Sequence, residues 1–193
     1  MKHGMRTIDV VLCGLFAALV AVGAFIRITL PTQPYPFTFS LQWLFVLLAG
    51  MLLGARLGAM SVGAYLLVGL VGVPVFVHGG GPQYIFRAGF GFLLGFLAAA
   101  FVIGLLTERL PRFNDFVRLM IAAVAGLVIY YLIGIAYYYF MYSCVLETPA
   151  EWGLGVAIAG CMTTFLPALA LCAIAALLAA RLRPALEAVW HRG

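Results

Sequence analysis

The stretch Pro34–Gly81, PYPFTFSLQWLFVLLAGMLLGARLGAMSVGAYLLVGLVGVPVFVHGGG, decides the fold. It holds two apolar runs, Phe37 to Leu53 and Leu57 to Val77, separated only by Gly54, Ala55 and Arg56. Neither run carries a charge, and each approaches the roughly 20 residues that a helix needs to cross a bilayer. Three intervening residues leave room only for a tight turn, so the stretch predicts a helical hairpin. The first run, at 17 residues, is the shorter one. At 1.5 Å per residue it rises only about 26 Å, so it is either a short span or continues into the preceding segment.

Four more apolar runs flank the hairpin: Ile8 to Leu30, Ala88 to Leu106, Leu119 to Met141, and Leu154 to Ala180. Hydrophobic residues make up 66% of the 193-residue chain and charged residues 9%, with a mean hydropathy of +1.16. A soluble domain carries about 45–50% apolar and about 25% charged residues, so lipid must solvate most of this surface. The prediction is an all-α membrane protein of six transmembrane helices. With no polar linker to divide it, residues 1–193 read as a single integral membrane domain. The first run has spanning length and should remain as a helix rather than be cleaved as a signal.

The basic residues set the orientation. Lys2, Arg6, Arg56, Arg109, Arg112, Arg118, Arg181, Arg183 and Arg192 fall on one side of the six runs, and only Arg27 and Arg87 on the other. A nine-to-two split places the first side in the cytoplasm, with both termini there. The net charge of +5 therefore reflects topology. No cluster of basic and aromatic residues suggests nucleic acid.

Absences narrow the function. All six acids, Asp9, Glu108, Asp115, Glu147, Glu151 and Glu187, sit at run ends or in loops. An ion-coupled carrier needs an ionisable group inside the bundle, and none is evident. There is no Gly-x-x-x-x-Gly-Lys phosphate loop, so uptake against a gradient would need another subunit's energy. No paired His and Glu, nucleophile with base, or metal-ligand spacing favours an enzyme. Cys13, Cys144, Cys161 and Cys172 have no Cys-x-x-Cys spacing.

Some segments carry more specific signals. The Pro31–Ser40 connection, with three prolines, suits irregular or extended backbone. The segment PVFVHGGGPQYIFRAGFGF after the hairpin is rich in glycine; it is either a flexible surface loop or a place where backbone approaches a ligand closely. Arg27 and Arg87 either snorkel to headgroups or hold a ligand carboxylate in bidentate fashion. Tyr130 and Tyr131 lie near mid-helix, where a phenol should face a bundle or cavity, while Tyr137 to Tyr142 suit an outer aromatic belt. In the first run, Gly14 with Ala18 and Ala17 with Ala21 form rows of small residues. These rows serve either packing within the bundle or docking of a partner helix.

The quoted stretch resembles the BioY family, the biotin-binding S components of energy-coupling factor transporters. That family shows Pro-x-Pro-Phe-Thr, then Leu-Gln, Ala-Gly, Gly-x-Arg-Leu-Gly and Pro-Val-Phe. Here these are Pro34, Pro36, Phe37 and Thr38, then Leu41, Gln42, Ala49, Gly50, Gly54, Arg56, Leu57 and Gly58, then Pro74, Val75 and Phe76. The resemblance implies a substrate-binding membrane subunit in a bacterial plasma membrane. It also implies a coupling membrane subunit and two cytoplasmic ATPases as partners, and Gly14, Ala17, Ala18 and Ala21 as the docking face.

The departures bear on the ligand. Two extra residues, Phe39 and Ser40, precede Leu41, and His78 stands where many members have Asn. The family's Gly-Pro-Thr-Gly-Gly-Tyr is replaced by the segment from Arg87 to Phe92. In the last helix Phe165 and Pro167 match, but Leu169 and Cys172 occupy the positions of an Asp and a Lys that look like part of the family's biotin site. Losing partners for a buried ureido group costs roughly 1–3 kcal/mol. Lipoate, with a carboxylate tail and a dithiolane ring, is therefore the expected alternative to biotin. A membrane assembly protein without transport is the alternative of another class. The expected cavity has Arg87 or Arg27 on the carboxylate and His78 and Gln83 as polar groups, with Phe86, Phe90, Tyr131, Phe165, Leu169 and Cys172 as apolar lining.

Overall fold

A computed structural model describes residues 6–30, 37–111, 114–144 and 150–190. Pro34 and Pro36 of the family motif, Glu147, and the basic residues Lys2, Arg112 and Arg192 lie outside the described residues. In chain order the elements are α1 (Thr7–Phe25), β1 (Arg27–Leu30), β2 (Phe37–Ser40), α2 (Gln42–Val71), a 3-10 turn (Pro82–Phe86), α3 (Phe90–Arg109), α4 (Asp115–Cys144) and α5 (Ala150–Trp190). Among the described residues, five helices are long and apolar enough to cross a membrane.

The predicted hairpin lies within α2. Gly54, at φ 81° and ψ −177°, interrupts the helix. This is backbone that only glycine adopts readily. The arms on either side, residues 42–53 and 55–71, pack on each other. Gln42 Nε2 donates to Tyr65 Oη at 2.7 Å, although a continuous helix would hold residues so spaced about 35 Å apart. Where the arms cross, a Cβ on Gly58 would lie 2.8 Å from the Ala49 carbonyl oxygen. Glycine is what lets them touch.

The elbow is fastened to α3 as well. Glu108 Oε1 accepts the Ala55 N–H at 2.9 Å, supplying a partner for an orphan donor at the start of the second arm. Asp9 accepts the Arg6 N–H at 3.0 Å before α1, and Asp115 pairs with the buried Arg118 at 2.8 Å at the start of α4. These acids thus serve helix beginnings, where the helix dipole favours negative charge.

Several boundaries differ from the sequence expectation: the third run ends its helix at Val71 rather than Val77, and the last helix extends to Trp190 rather than Ala180. The first run ends its helix at Phe25, not Leu30, and Phe37–Ser40 is not helical. Instead β1 and β2 pair antiparallel, Arg27 opposite Ser40 and Leu30 opposite Phe37. Leu30 precedes Pro31, which disfavours helical backbone, and Ile28, Thr29 and Thr38 suit a strand. Apolar runs alone cannot tell the two apart. The all-helical expectation therefore holds except for this ribbon.

Helices α2, α3, α4 and α5 close a ring, each packing on the next and α5 returning to α2, while α1 packs on α2 outside it. The buried residues, among them Trp43, Leu47, Met51, Phe96, Ile103, Leu127 and Cys172, form one continuous core through this ring. Helix α5 continues through Pro167 and Pro184. Its segment Cys161–Pro184 is long and apolar enough to cross a membrane.

Candidate functional site

The glycine-rich segment is folded rather than loose. Phe76 and Gly79 exchange backbone hydrogen bonds at 2.9 and 3.1 Å, which turns the chain tightly at Val77 and His78. Gly81 N–H donates to the Gly69 carbonyl at 2.8 Å. The Phe76 ring lies where any side chain on Gly69 would stand, edge-on to Tyr65 at 5.5 Å and 4.7 Å from Tyr84. Tyr84 and Phe90 continue this aromatic row to Tyr137, whose hydroxyl donates to the Ile85 carbonyl.

Arg27 and Arg87 gather on this segment. The Arg27 guanidinium donates to the Val77 carbonyl, which ties the ribbon to the tight turn. Arg87 lies over the Tyr84 ring, 5.4 Å from its centre. Neither has an acidic partner among the described residues. Desolvation, then the charges of Arg87 and Arg27, hold His78 below the usual imidazole range. Burial raises the Tyr84 phenol, partly opposed by Arg87. Gln83 donates its side-chain amide to the Gly80 carbonyl at 3.0 Å, so it serves its own loop. Phe86 is 70% exposed and Phe90 is buried in the aromatic row.

A separate cavity lies inside the helical ring. Ser40, Trp43, Phe96, Tyr130, Tyr131, Thr164 and Ala168 line it, so β2 and all four ring helices contribute. Its empty volume is about 350 Å³, open mouth included. Trp43, Phe96 and Tyr130 form an aromatic cluster with ring centres 5.0 to 6.0 Å apart. Tyr131 and Thr164 share a hydrogen bond at 3.1 Å across α4 and α5. The buried indole N–H of Trp43 interacts with the Cys172 thiol.

The site expected from the sequence thus divides. Arg27, His78, Gln83, Phe86 and Arg87 belong to the outer segment, and Tyr131 lines the cavity. Phe165 stacks near Tyr131 at 6.4 Å but is 45% exposed. Leu169 is half-buried, Cys172 is fully buried, and neither is among the lining residues. Sequence reasoning placed Tyr130 facing a bundle or cavity but did not single out Trp43, Phe96, Thr164 or Ala168. Thr164 and Ala168 were within reach, since they precede Cys172 at four-residue spacing and so share its helix face.

The small-residue rows of α1 also divide. Gly14 and Ala18 are exposed, and nothing lies within 4 Å of where a Gly14 side chain would begin. Ala17 and Ala21 are half-buried and pack on the core.

Comparison with known proteins adds a family. The sequence model of the BioY family matches residues 1–188. The chain is 41% identical over 184 residues to a probable biotin transporter BioY of Lysinibacillus sphaericus, covering 94% of this chain and 90% of the relative. It is 39% identical over 185 residues to the biotin transporter BioY of Rhizobium etli, covering 92% and 93%. Among solved structures, the S-component for biotin from an ECF-type ABC transporter superposes with a TM-score of 0.75. That match covers 94% of this chain and 95% of the other at 22% identity, a likeness of fold.

Proposed function

The chain belongs to the BioY family, and on that premise we propose that it captures biotin for import as the S component of an energy-coupling factor transporter. It is a multi-pass cell-membrane protein. The same reading takes the two arms of α2 as separate passes, six in all, with the nine-to-two charge split as support for both termini in the cytoplasm.

The observation that carries the reading is the aromatic cavity closed by β2 and four ring helices, on a chain in which Arg27 and Arg87 have no acidic partner among the described residues. Aromatic walls suit the bicyclic body of biotin, and a guanidinium suits its carboxylate. Arg87 is the better carboxylate ligand, because Arg27 already donates to the Val77 carbonyl. His78 adjoins both arginines and adjusts the charge of this rim.

Energy would come from partners. A coupling membrane subunit would seat on the exposed Gly14 and Ala18 row, and two cytoplasmic ATPases would drive it. Lipoate, which shares the carboxylate tail but lacks the ureido ring, is the comparator ligand. Uptake of labelled biotin tests the reading, using cells lacking their own transporter and expressing this chain with and without its coupling partners. Accumulation that excess unlabelled biotin abolishes supports it; accumulation of lipoate but not biotin replaces the substrate, and accumulation of neither contradicts it.

A further inference from the structure

We infer that Ser40 is a specificity-determining residue of the cavity, held so that it can only accept hydrogen bonds and therefore prefers a ring bearing N–H donors; this rests on the substrate reading above. The hydrogen-bond chain starts from a backbone carbonyl. Val75 C=O can only accept, so the Tyr65 hydroxyl donates to it, at 3.3 Å. That uses the only phenolic proton, so at Gln42 the phenol oxygen must accept, at 2.7 Å from Nε2. The amide orientation is thereby fixed, with Oε1 facing the other way. There it accepts the Ser40 hydroxyl proton at 3.2 Å. What Ser40 keeps for the cavity it lines is lone pairs alone.

Burial maintains this direction. Gln42 and Tyr65 are each 2% exposed, so water is not at hand to reverse the chain. Reversal would set the phenol oxygen against the carbonyl oxygen of Val75, leaving buried acceptors without donors. Lone pairs on Ser40 suit the N–H groups of a cyclic urea, a ring that offers both N–H groups and a carbonyl. A dithiolane offers neither. The polar recognition that Leu169 and Cys172 cannot supply from α5 thus comes from β2 and the start of α2. Gln42 and Tyr65 act as positioning residues through Ser40.

The test compares affinities of purified wild type, Ser40→Ala, Ser40→Thr and Tyr65→Phe for three ligands: biotin, biotin methylated on its urea nitrogens, and lipoate. Ser40→Ala should weaken biotin roughly three- to tenfold while leaving the methylated ligand and lipoate within about twofold. Ser40→Thr keeps the hydroxyl and should keep the preference. Tyr65→Phe frees the Gln42 amide to turn, and should narrow the biotin-to-lipoate ratio without weakening lipoate. Equal losses for all three ligands in Ser40→Ala, or an unchanged biotin affinity, would overturn the inference alone. Wild type that binds no biotin would remove the substrate reading, and this inference with it.

Discussion

Arg27 and Ser40 are cross-strand partners in the β1–β2 ribbon, so a cation of the outer rim and a hydroxyl of the cavity are fixed to one another through backbone. Arg27 reaches from there to the Val77 carbonyl, and Ser40 reaches to Gln42. The ribbon, the tight turn at His78 and the entrance of α2 therefore form one connected unit above the ring. The two arginines then have different tasks, and substitution separates them.

Arg87→Ala should weaken biotin by about ten- to a hundredfold, the loss of a hydrogen bond to a charged group worth about 1.5–3 kcal/mol. Biotin carboxamide should bind wild type and Arg87→Ala alike. Arg27→Ala should instead loosen the turn at Val77, with equal effects on acid and amide. Titration calorimetry of both variants with both ligands checks this.

His78 makes the outer segment sensitive to acid. Its pKa is held below the ordinary imidazole value of 6.5 by desolvation and then by Arg87 and Arg27. The folded state thus binds its proton less readily than the unfolded chain. The stability this gives is present above pH 6.5 and is lost as pH falls through the lowered value. A bound carboxylate should reduce the loss by offsetting the arginine charges. Melting temperatures from pH 7.5 to 5, with and without ligand, should show this dependence, and His78→Gln should flatten it.

Much of the fold was legible in the sequence, and the reasons are local. Gly54-Ala55-Arg56 between two apolar runs announced a turn, and the structure turns at Gly54. The prolines marked Pro31–Ser40 as irregular or extended, which Phe37–Ser40 is, but its pairing with Arg27–Leu30 was not legible, because Ile28-Thr29-Leu30 continues an apolar run whose remainder is helical. Cavity residues from one helix could be found by spacing. Ser40, Trp43, Phe96 and Tyr130 come from four elements, β2, α2, α3 and α4, and only the closed ring brings them together. The aromatic cluster is a product of tertiary packing, so no window of sequence contains it.

Gly54→Ala should destabilise the protein by about 1–3 kcal/mol, since its backbone lies where L-residues are strained. A Cβ there would also press on the Glu108 carboxylate that accepts the Ala55 N–H. Gly63→Ala, where the nearest atom stands at 3.7 Å, is the control and should change little. Thermal unfolding in detergent compares the two.

Docking should depend on one row of α1 rather than both. Ala18→Trp projects from an exposed position and should block co-purification with the coupling subunit while biotin binding by the isolated chain survives. Ala21→Trp enters a packed position and should lower the melting temperature of the chain itself. If Ala18→Trp assembles normally, the coupling subunit seats elsewhere.

Equilibrium binding of labelled biotin to the purified wild-type chain, alone in lipid nanodiscs, bears most directly on the central claim. The account predicts saturable binding at one site per chain, displaced by unlabelled biotin and weakened when the carboxylate is converted to its amide. Absence of saturable binding by folded protein, or binding that is indifferent to the carboxylate and to Arg87, would contradict it.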